Sequence, residues 1–81
     1  MVISQHQFEL LCAEYRLSPT QKQIARLLLD GKTTDAEICQ ALRKEPANVQ
    51  KQVRRMGAKM FCRNRTQILW RFWKDSQTLT P

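Results

Sequence analysis

The chain lacks the long apolar segments that membrane proteins need. Its longest aliphatic run is Leu27–Leu29, far below the ~18–20 apolar residues of a membrane-spanning helix. The first residues also lack the basic-then-apolar order of a secretory signal. These absences favour a cytoplasmic protein that does not contact membranes, and a length of 81 residues favours a single small domain.

Cysteine and histidine are both scarce. Cys12, Cys39 and Cys62 show no Cys-x-x-Cys spacing, and the one histidine, His6, forms no metal-binding motif with them. Neither a disulfide framework nor a zinc site is therefore expected. Cysteine is often buried, so the sequence predicts three small core side chains. Cys62 beside Arg63 leaves the alternative of a redox-sensitive thiol, because a neighbouring cation favours the reactive thiolate.

The usual arrangements of catalytic residues are also missing. The sequence shows no pairing of a nucleophile with a base, no cluster of carboxylates and no glycine-rich phosphate loop, and it has only 2 glycines. We therefore expect no enzyme, no cofactor and no small-molecule substrate.

Acidic residues are nearly absent from one part of the chain. Between Arg43 and Arg65, eight basic residues stand against one acid, Glu45, which gives +7 and equals the net charge of the whole chain. Residues 1–42 carry four basic and five acidic groups. Because the excess is local, it predicts a surface patch whose natural partner is a polyanion.

Capping signals divide the chain into five helices. Ser4, Ser18 and Thr34 each have a glutamine or glutamate three residues later, the pattern of a helix N-terminus. Pro46 marks the first turn of a fourth helix, and Asn64 precedes the fifth. No alternation typical of strands occurs, so the predicted fold is all-α.

The predicted helices form three segments. Residues 1–16 hold an amphipathic N-terminal helix that packs on the domain or extends it. A four-helix unit follows in residues 17–75, with its last helix ending near Lys74. Residues 76–81 are predicted to form a polar tail.

The predicted fourth helix, from Pro46 to about Met60, has an apolar side and a basic side. At about 100° per residue, its inner residues fall within an arc of about 60°: Val49, Val53, Met56 and Met60. The opposite side holds its cations: Lys51, Arg54, Arg55 and Lys59. A merely solvated face usually mixes charges of both signs, but no acid occurs between Val49 and Lys74. We therefore favour a nucleic-acid-binding face over a solvated one.

Seven short segments stand in an order that a known family shares. They are Leu17-Ser18-Pro19, Gly31, Thr33-Thr34, Glu37-Ile38-Cys39, Asn48-Val49, Lys59-Met60-Phe61-Cys62 and Arg63-Asn64-Arg65-Thr66. Together they resemble the LuxR/GerE-type helix-turn-helix DNA-binding domain, and the resemblance covers residues 17–74. The chain departs from that pattern at Glu45, where a serine cap is usual, and at Phe61, where glycine is frequent. Gly57 inside the fourth helix is a further departure.

The resemblance implies a four-helix LuxR/GerE-like fold in which Pro46–Met60 is the recognition helix and Thr34–Leu42 crosses the DNA backbone. The positions that match base-reading residues are Gln50, Lys51 and Arg54. Those that match phosphate contacts are Thr34, Asn48, Arg55, Lys59 and Arg65. Side-chain chemistry agrees, since Arg54 can pair with guanine and Gln50 with adenine through two hydrogen bonds each, worth about 1–3 kcal/mol of discrimination.

The last predicted helix has more apolar surface than a small domain can cover. Three of its residues are assigned to the core: Ile68, Leu69 and Phe72. Trp70 and Trp73 are left on a flank, where an exposed aromatic pair indicates an association surface. The resemblance implies dimerisation through this helix. The alternative is that the N-terminal helix covers both rings through Phe8 and Tyr15.

These observations favour a stand-alone, sequence-specific transcriptional regulator of the bacterial kind. It would bind double-stranded DNA as a homodimer, at half-sites centred roughly 10 bp apart. The alternative is an adaptor or antagonist that pairs with another transcription regulator or with RNA polymerase, through the N-terminal helix and the Trp70 and Trp73 flank. Glu45 and Phe61 favour the alternative, whereas the intact basic face argues against it.

Overall fold

Five α-helices make up the part of the chain that the structure describes. The computed structural model describes residues 3–79, and no strand occurs in that range. The helices are α1 (Gln5–Glu14), α2 (Pro19–Leu29), α3 (Asp35–Leu42), α4 (Pro46–Lys59) and α5 (Arg65–Leu79). The all-α prediction is confirmed. Within the same range, no helix combines the length and the apolar character needed to cross a bilayer.

The helices begin where their capping residues predict. Ser4 and Ser18 each accept a hydrogen bond from the backbone N–H three residues later, at 3.1 and 3.2 Å, and a glutamine side chain completes each capping box. Thr34 accepts from the Glu37 N–H at 3.2 Å, but its hydroxyl donates to the Glu37 carboxylate. Glu45 makes no side-chain cap, so α4 begins without this stabilisation.

Each of the first four helices is followed by a residue with a left-handed backbone. These residues are Arg16, Gly31, Arg43 and Phe61, with φ between 55° and 93°. In all four turns, the next N–H donates to the carbonyl five residues earlier, over 2.7 to 3.2 Å. Glycine adopts this conformation at the lowest cost. Two arginines and a phenylalanine therefore adopt it at a cost that glycine would avoid.

One hydrophobic core joins all five helices. Its most deeply buried side chains are Leu11, Cys12, Ile24, Leu28, Ile38, Val49, Met56, Met60, Ile68 and Phe72. The predicted N-terminal helix is part of this core, since α1 packs against α5 and the rings of Phe8 and Phe72 stack with centroids 5.9 Å apart. Leu69, assigned to the core from the sequence, is only partly buried.

The last helix is longer than the sequence predicts. The expected polar tail at residues 76–81 is wrong over the whole of its described part, residues 76–79, because α5 continues to Leu79. Contacts with α1 and the residue after it support the extension: the Tyr15 hydroxyl donates to the Asp75 carboxylate, and Nε2 of Gln7 donates to the carbonyl oxygen of Ser76 at 3.4 Å. The final two residues of that predicted tail lie outside the described residues.

Candidate nucleic-acid interface

The apolar side of α4 faces the core as predicted. Val49, Met56 and Met60 are fully buried, and Val53 is partly buried. Gly57 is also buried on this side, where an added Cβ would lie 2.8 Å from the carbonyl oxygen of Cys62. Glycine at this position, a departure from the family pattern, is therefore required by the close approach of the backbone that follows α4.

The opposite side of α4 presents cations to solvent. The four predicted basic residues are all exposed: Lys51, Arg54, Arg55 and Lys59. Ala47 and Ala58 are exposed near the two ends of this face, in the first and last turns of α4. None of the ion pairs found among residues 3–79 involves Lys51, Arg54 or Arg55. These three cations can therefore bind an external anion without breaking an internal ion pair. We call Lys51, Arg54 and Arg55, with the two alanines, the basic face.

Gln50 lies at the edge of the basic face and contacts α3. Its Nε2 donates to Oδ2 of Asp35 at 3.2 Å. The other oxygen of Asp35 accepts from Arg65, which also donates to the carbonyl oxygen of Thr33 at 2.7 Å. These four residues form the Asp35 network, which links the start of α3 to α4 and to the start of α5.

Lys59 has partners within the protein. Its Nζ donates to the carbonyl oxygen of Arg16 and to Oε1 of Gln21, both at 2.8 Å. Gln21 is buried, and its Nε2 donates to Gln52 of α4 at 3.1 Å. The ammonium group of Lys59 therefore joins α4 to the end of α1 and to α2.

The residues predicted for DNA contact thus fall into two groups. Most are exposed and lie on α4 or at the start of α3: Thr34, Asn48, Gln50, Lys51, Arg54 and Arg55. Lys59 is also exposed on α4, but its ammonium group and the partly buried guanidinium of Arg65 hold helices together. Sequence reasoning did not identify Asp35 or Gln21 as neighbours of this surface, because both act across helices that are distant in the chain. The only local signal was the position of each residue in the first turn of a helix.

A second exposed surface lies on α5 and on the turn before it. Trp70 and Trp73 are 58% and 38% exposed, and their rings stack with centroids 5.0 Å apart. Phe61, in the left-handed turn after α4, is 87% exposed. We call these three residues the aromatic surface. Single exposed apolar residues are ordinary, but three large aromatic side chains in one region are unusual for a small monomer.

The N-terminal helix does not cover the tryptophans. Phe8 stacks on Phe72, and Tyr15 donates to Asp75, while both indole rings stay exposed. The alternative in which Phe8 and Tyr15 cover these rings is therefore wrong. Burial, together with the hydrogen bond to Asp75, raises the pKa of Tyr15 above its ordinary value.

An open groove of about 290 Å³ adjoins the aromatic surface. Its lining residues are Phe61, Cys62, Gln67, Trp70, Arg71 and Lys74. Two of these are cations and none is an acid. The groove could therefore accept an acidic or apolar segment of a partner.

The cysteines only partly follow the prediction of burial. Cys12 is in the core, and burial raises the pKa of its thiol to about 11. Cys39 and Cys62 are partly buried free thiols, and Sγ of Cys62 lies 3.4 Å from the carbonyl oxygen of Met60. Across the described residues, no three His, Cys, Asp or Glu side chains come together as a metal site would require.

No known protein family, curated protein or solved structure matches this chain. The observations that bear on function are therefore the two exposed surfaces. The basic face and the aromatic surface differ in charge and in shape, and each favours a different kind of partner.

Proposed function

We propose that this chain is a sequence-specific transcriptional regulator that binds double-stranded DNA with α4 in the major groove. The observation that carries the proposal is the division of α4 into a buried apolar side and an exposed basic face without internal ion pairs. Such a helix is anchored by one side and offers positive charge on the other. A polyanion of regular shape is the partner that this arrangement fits.

The dimensions of α4 support its placement in the major groove. Its 14 residues span roughly 21 Å, and its width of about 10–12 Å suits a major groove about 12 Å wide. Ala47 and Ala58 allow the helix to approach the base edges closely. The helix α3 packs against α4 and is joined to it by residues 43–45 alone, which suits a helix-turn-helix unit of the LuxR/GerE type.

The exposed side chains suggest a division of roles. Gln50, Lys51 and Arg54 would read base edges, because they are exposed in the middle turns of α4, between the two alanines. Three exposed residues at its margin would contact phosphates: Thr34, Asn48 and Arg55. Phosphate contacts set the register and base contacts set the specificity. Lys59 and Arg65 would contribute mainly by fixing the helices that carry these residues.

The proposal is tested by selecting bound duplexes from a random pool of about 30 bp, a length chosen to exceed two half-sites one helical turn apart. Wild type should enrich one motif, and Arg54→Ala should lose preference at a defined base pair, worth about 1–3 kcal/mol. Lys22→Ala is the matched control, since it removes the same charge from α2 on the side that faces α1. Equal, sequence-independent binding by wild type and Arg54→Ala would contradict the proposal.

We further propose that the active form is a homodimer joined through Trp70 and Trp73. These stacked, exposed rings on α5 are large enough to anchor a small interface. A dimer predicts an inverted repeat with half-sites centred roughly 10 bp apart. Sedimentation should show a dimer for wild type and a monomer for Trp70→Ala. A wild-type monomer both free and on DNA would rule out the dimer.

A second candidate function is an adaptor that binds another transcription regulator or RNA polymerase. The observation that favours it is Phe61, a large apolar residue that is held in a left-handed turn and is 87% exposed. It lines a groove together with two cations, Arg71 and Lys74. Binding of purified RNA polymerase should then persist in a variant carrying Lys51→Ala and Arg54→Ala, and should be lost in Trp70→Ala. Loss in the first variant with retention in the second would exclude the adaptor.

A further inference from the structure

One carboxylate holds both Gln50, which the proposed function assigns to base reading, and Arg65, which fixes the start of α5. Asp35 is the first residue of α3, and its side chain is 37% exposed. Oδ1 accepts from Nη2 of Arg65, and Oδ2 accepts from Nε2 of Gln50 at 3.2 Å. Both oxygens are thus occupied, one by a cation and one by the amide at the edge of the basic face.

This contact fixes which way the Gln50 amide faces. An ionised carboxylate only accepts hydrogen bonds, so the amide group directed at Asp35 must be the nitrogen. One N–H of Nε2 is used in this way, and the second N–H and Oε1 are left for another partner. A donor and an acceptor on one amide are what the N7 and N6 groups of adenine require.

We infer that Asp35 is a specificity-determining residue, which holds Gln50 in the orientation that reads adenine; this inference rests on the proposed function. An exposed glutamine without such a support can turn its amide over. In the reversed orientation, the Gln50 amide directs both N–H groups at the DNA. These two donors suit the two acceptors of guanine, O6 and N7. Fixing the amide before binding removes that freedom and with it the cost of ordering the side chain.

The same carboxylate places a negative charge beside a surface that binds a polyanion. It also engages Arg65, whose guanidinium could otherwise contact a phosphate. Asp35 should therefore weaken binding to duplexes that lack the preferred base pair while sharpening the choice among sequences. A residue that merely supported the fold would not move these two quantities in opposite directions.

The test compares base preference and general affinity in a set of variants. Bound duplexes are selected from a random pool with wild type, Gln50→Ala, Asp35→Ala and Asp35→Asn. The Gln50→Ala profile identifies the base pair that Gln50 reads. Asp35→Asn keeps the size of the side chain but replaces one carboxylate oxygen by an NH2 group, so it cannot keep both the contact of Oδ1 with Arg65 and that of Oδ2 with Gln50. It covers the case in which Asp35→Ala fails to fold.

Glu9→Gln is the matched control. It makes the same change of charge and also breaks a surface ion pair, the one that joins Glu9 to Lys22 at 2.8 Å, but it lies on α1. Its base preferences should equal those of wild type. Any increase in general affinity seen with Glu9→Gln measures the effect of net charge alone.

We expect wild type to prefer adenine at the base pair read by Gln50, on the order of 5- to 150-fold. Both Asp35 variants should lose most of this preference at that base pair alone, and should bind an unrelated duplex several-fold more tightly than Glu9→Gln does, consistent with added phosphate contact. Unchanged preference in both folded Asp35 variants would overturn the inference and leave the proposed function standing. An absence of any sequence preference in wild type would overturn the proposed function and this inference with it.

Discussion

Replacing Gly57 by alanine tests whether helix propensity or close packing determines the residue at this position, because the two predict opposite changes in stability. Gly57 lies inside α4, where alanine is normally more favourable by about 0.5–1 kcal/mol. Helix propensity alone therefore predicts that Gly57→Ala stabilises the protein. The geometry predicts the opposite, because the new Cβ would lie 2.8 Å from the carbonyl oxygen of Cys62.

The cost follows from what would have to move. The neighbour is backbone, and it is fixed by a hydrogen bond of 2.7 Å from the Cys62 N–H to the Gly57 carbonyl. Overpacking of this kind costs about 1–3 kcal/mol, which exceeds the gain in propensity. A net loss of roughly 1 kcal/mol should lower Tm by about 4–8 °C in a domain of this size.

The assay is thermal unfolding followed by circular dichroism, with Ala58→Gly as the matched control. Ala58 is the next residue and is exposed, so glycine there should cost only the propensity term, about 0.5–1 kcal/mol. Both variants should therefore unfold at a lower temperature than wild type. A higher Tm for Gly57→Ala would refute the close approach of α4 and Cys62.

Three further predictions concern stability and reactivity. Phe61→Gly should raise the free energy of unfolding by roughly 1 kcal/mol, because glycine adopts the left-handed backbone without strain and the exposed Phe61 ring contributes little packing. A lower Tm would contradict this. Tyr15→Phe should cost about 1.5–3 kcal/mol at neutral pH through loss of the bond to Asp75. Since the pKa of Tyr15 is raised in the folded state, the stability it contributes is complete below about pH 10 and is lost as the pH rises further, so melts of the two proteins should converge at alkaline pH. An alkylating reagent at neutral pH should label Cys62 before Cys12, whose pKa is about 11, and mass spectrometry of the native protein would show the order.

The sequence predicted those features of the fold that depend on neighbours along the chain. Ser4, Ser18 and Thr34 cap their helices through bonds to residues three positions away, so their patterns are local. The inner side of α4 follows from a period of 3.6 residues, and the burial of Val49 and Met56 confirms it.

Features that depend on distant residues could not be predicted in this way. The extension of α5 rests on Tyr15 and Asp75, which are 60 positions apart. The Asp35 network and the ammonium contacts of Lys59 likewise join helices whose relative placement no local pattern specifies. Gly57 is the clearest example. Helix propensity predicts only that glycine destabilises α4 at this position, whereas the packing of the Cys62 backbone against it explains why a larger residue does not fit.

We propose above all that the basic face of α4 binds double-stranded DNA. The most direct measurement is a titration of isotopically labelled protein with the selected duplex, followed by the backbone amide chemical shifts in nuclear magnetic resonance spectra. We expect the largest changes on α4 around Lys51 and Arg54 and at the start of α3. Changes confined to Phe61, Trp70 and their neighbours, or no changes at all, would contradict the proposal.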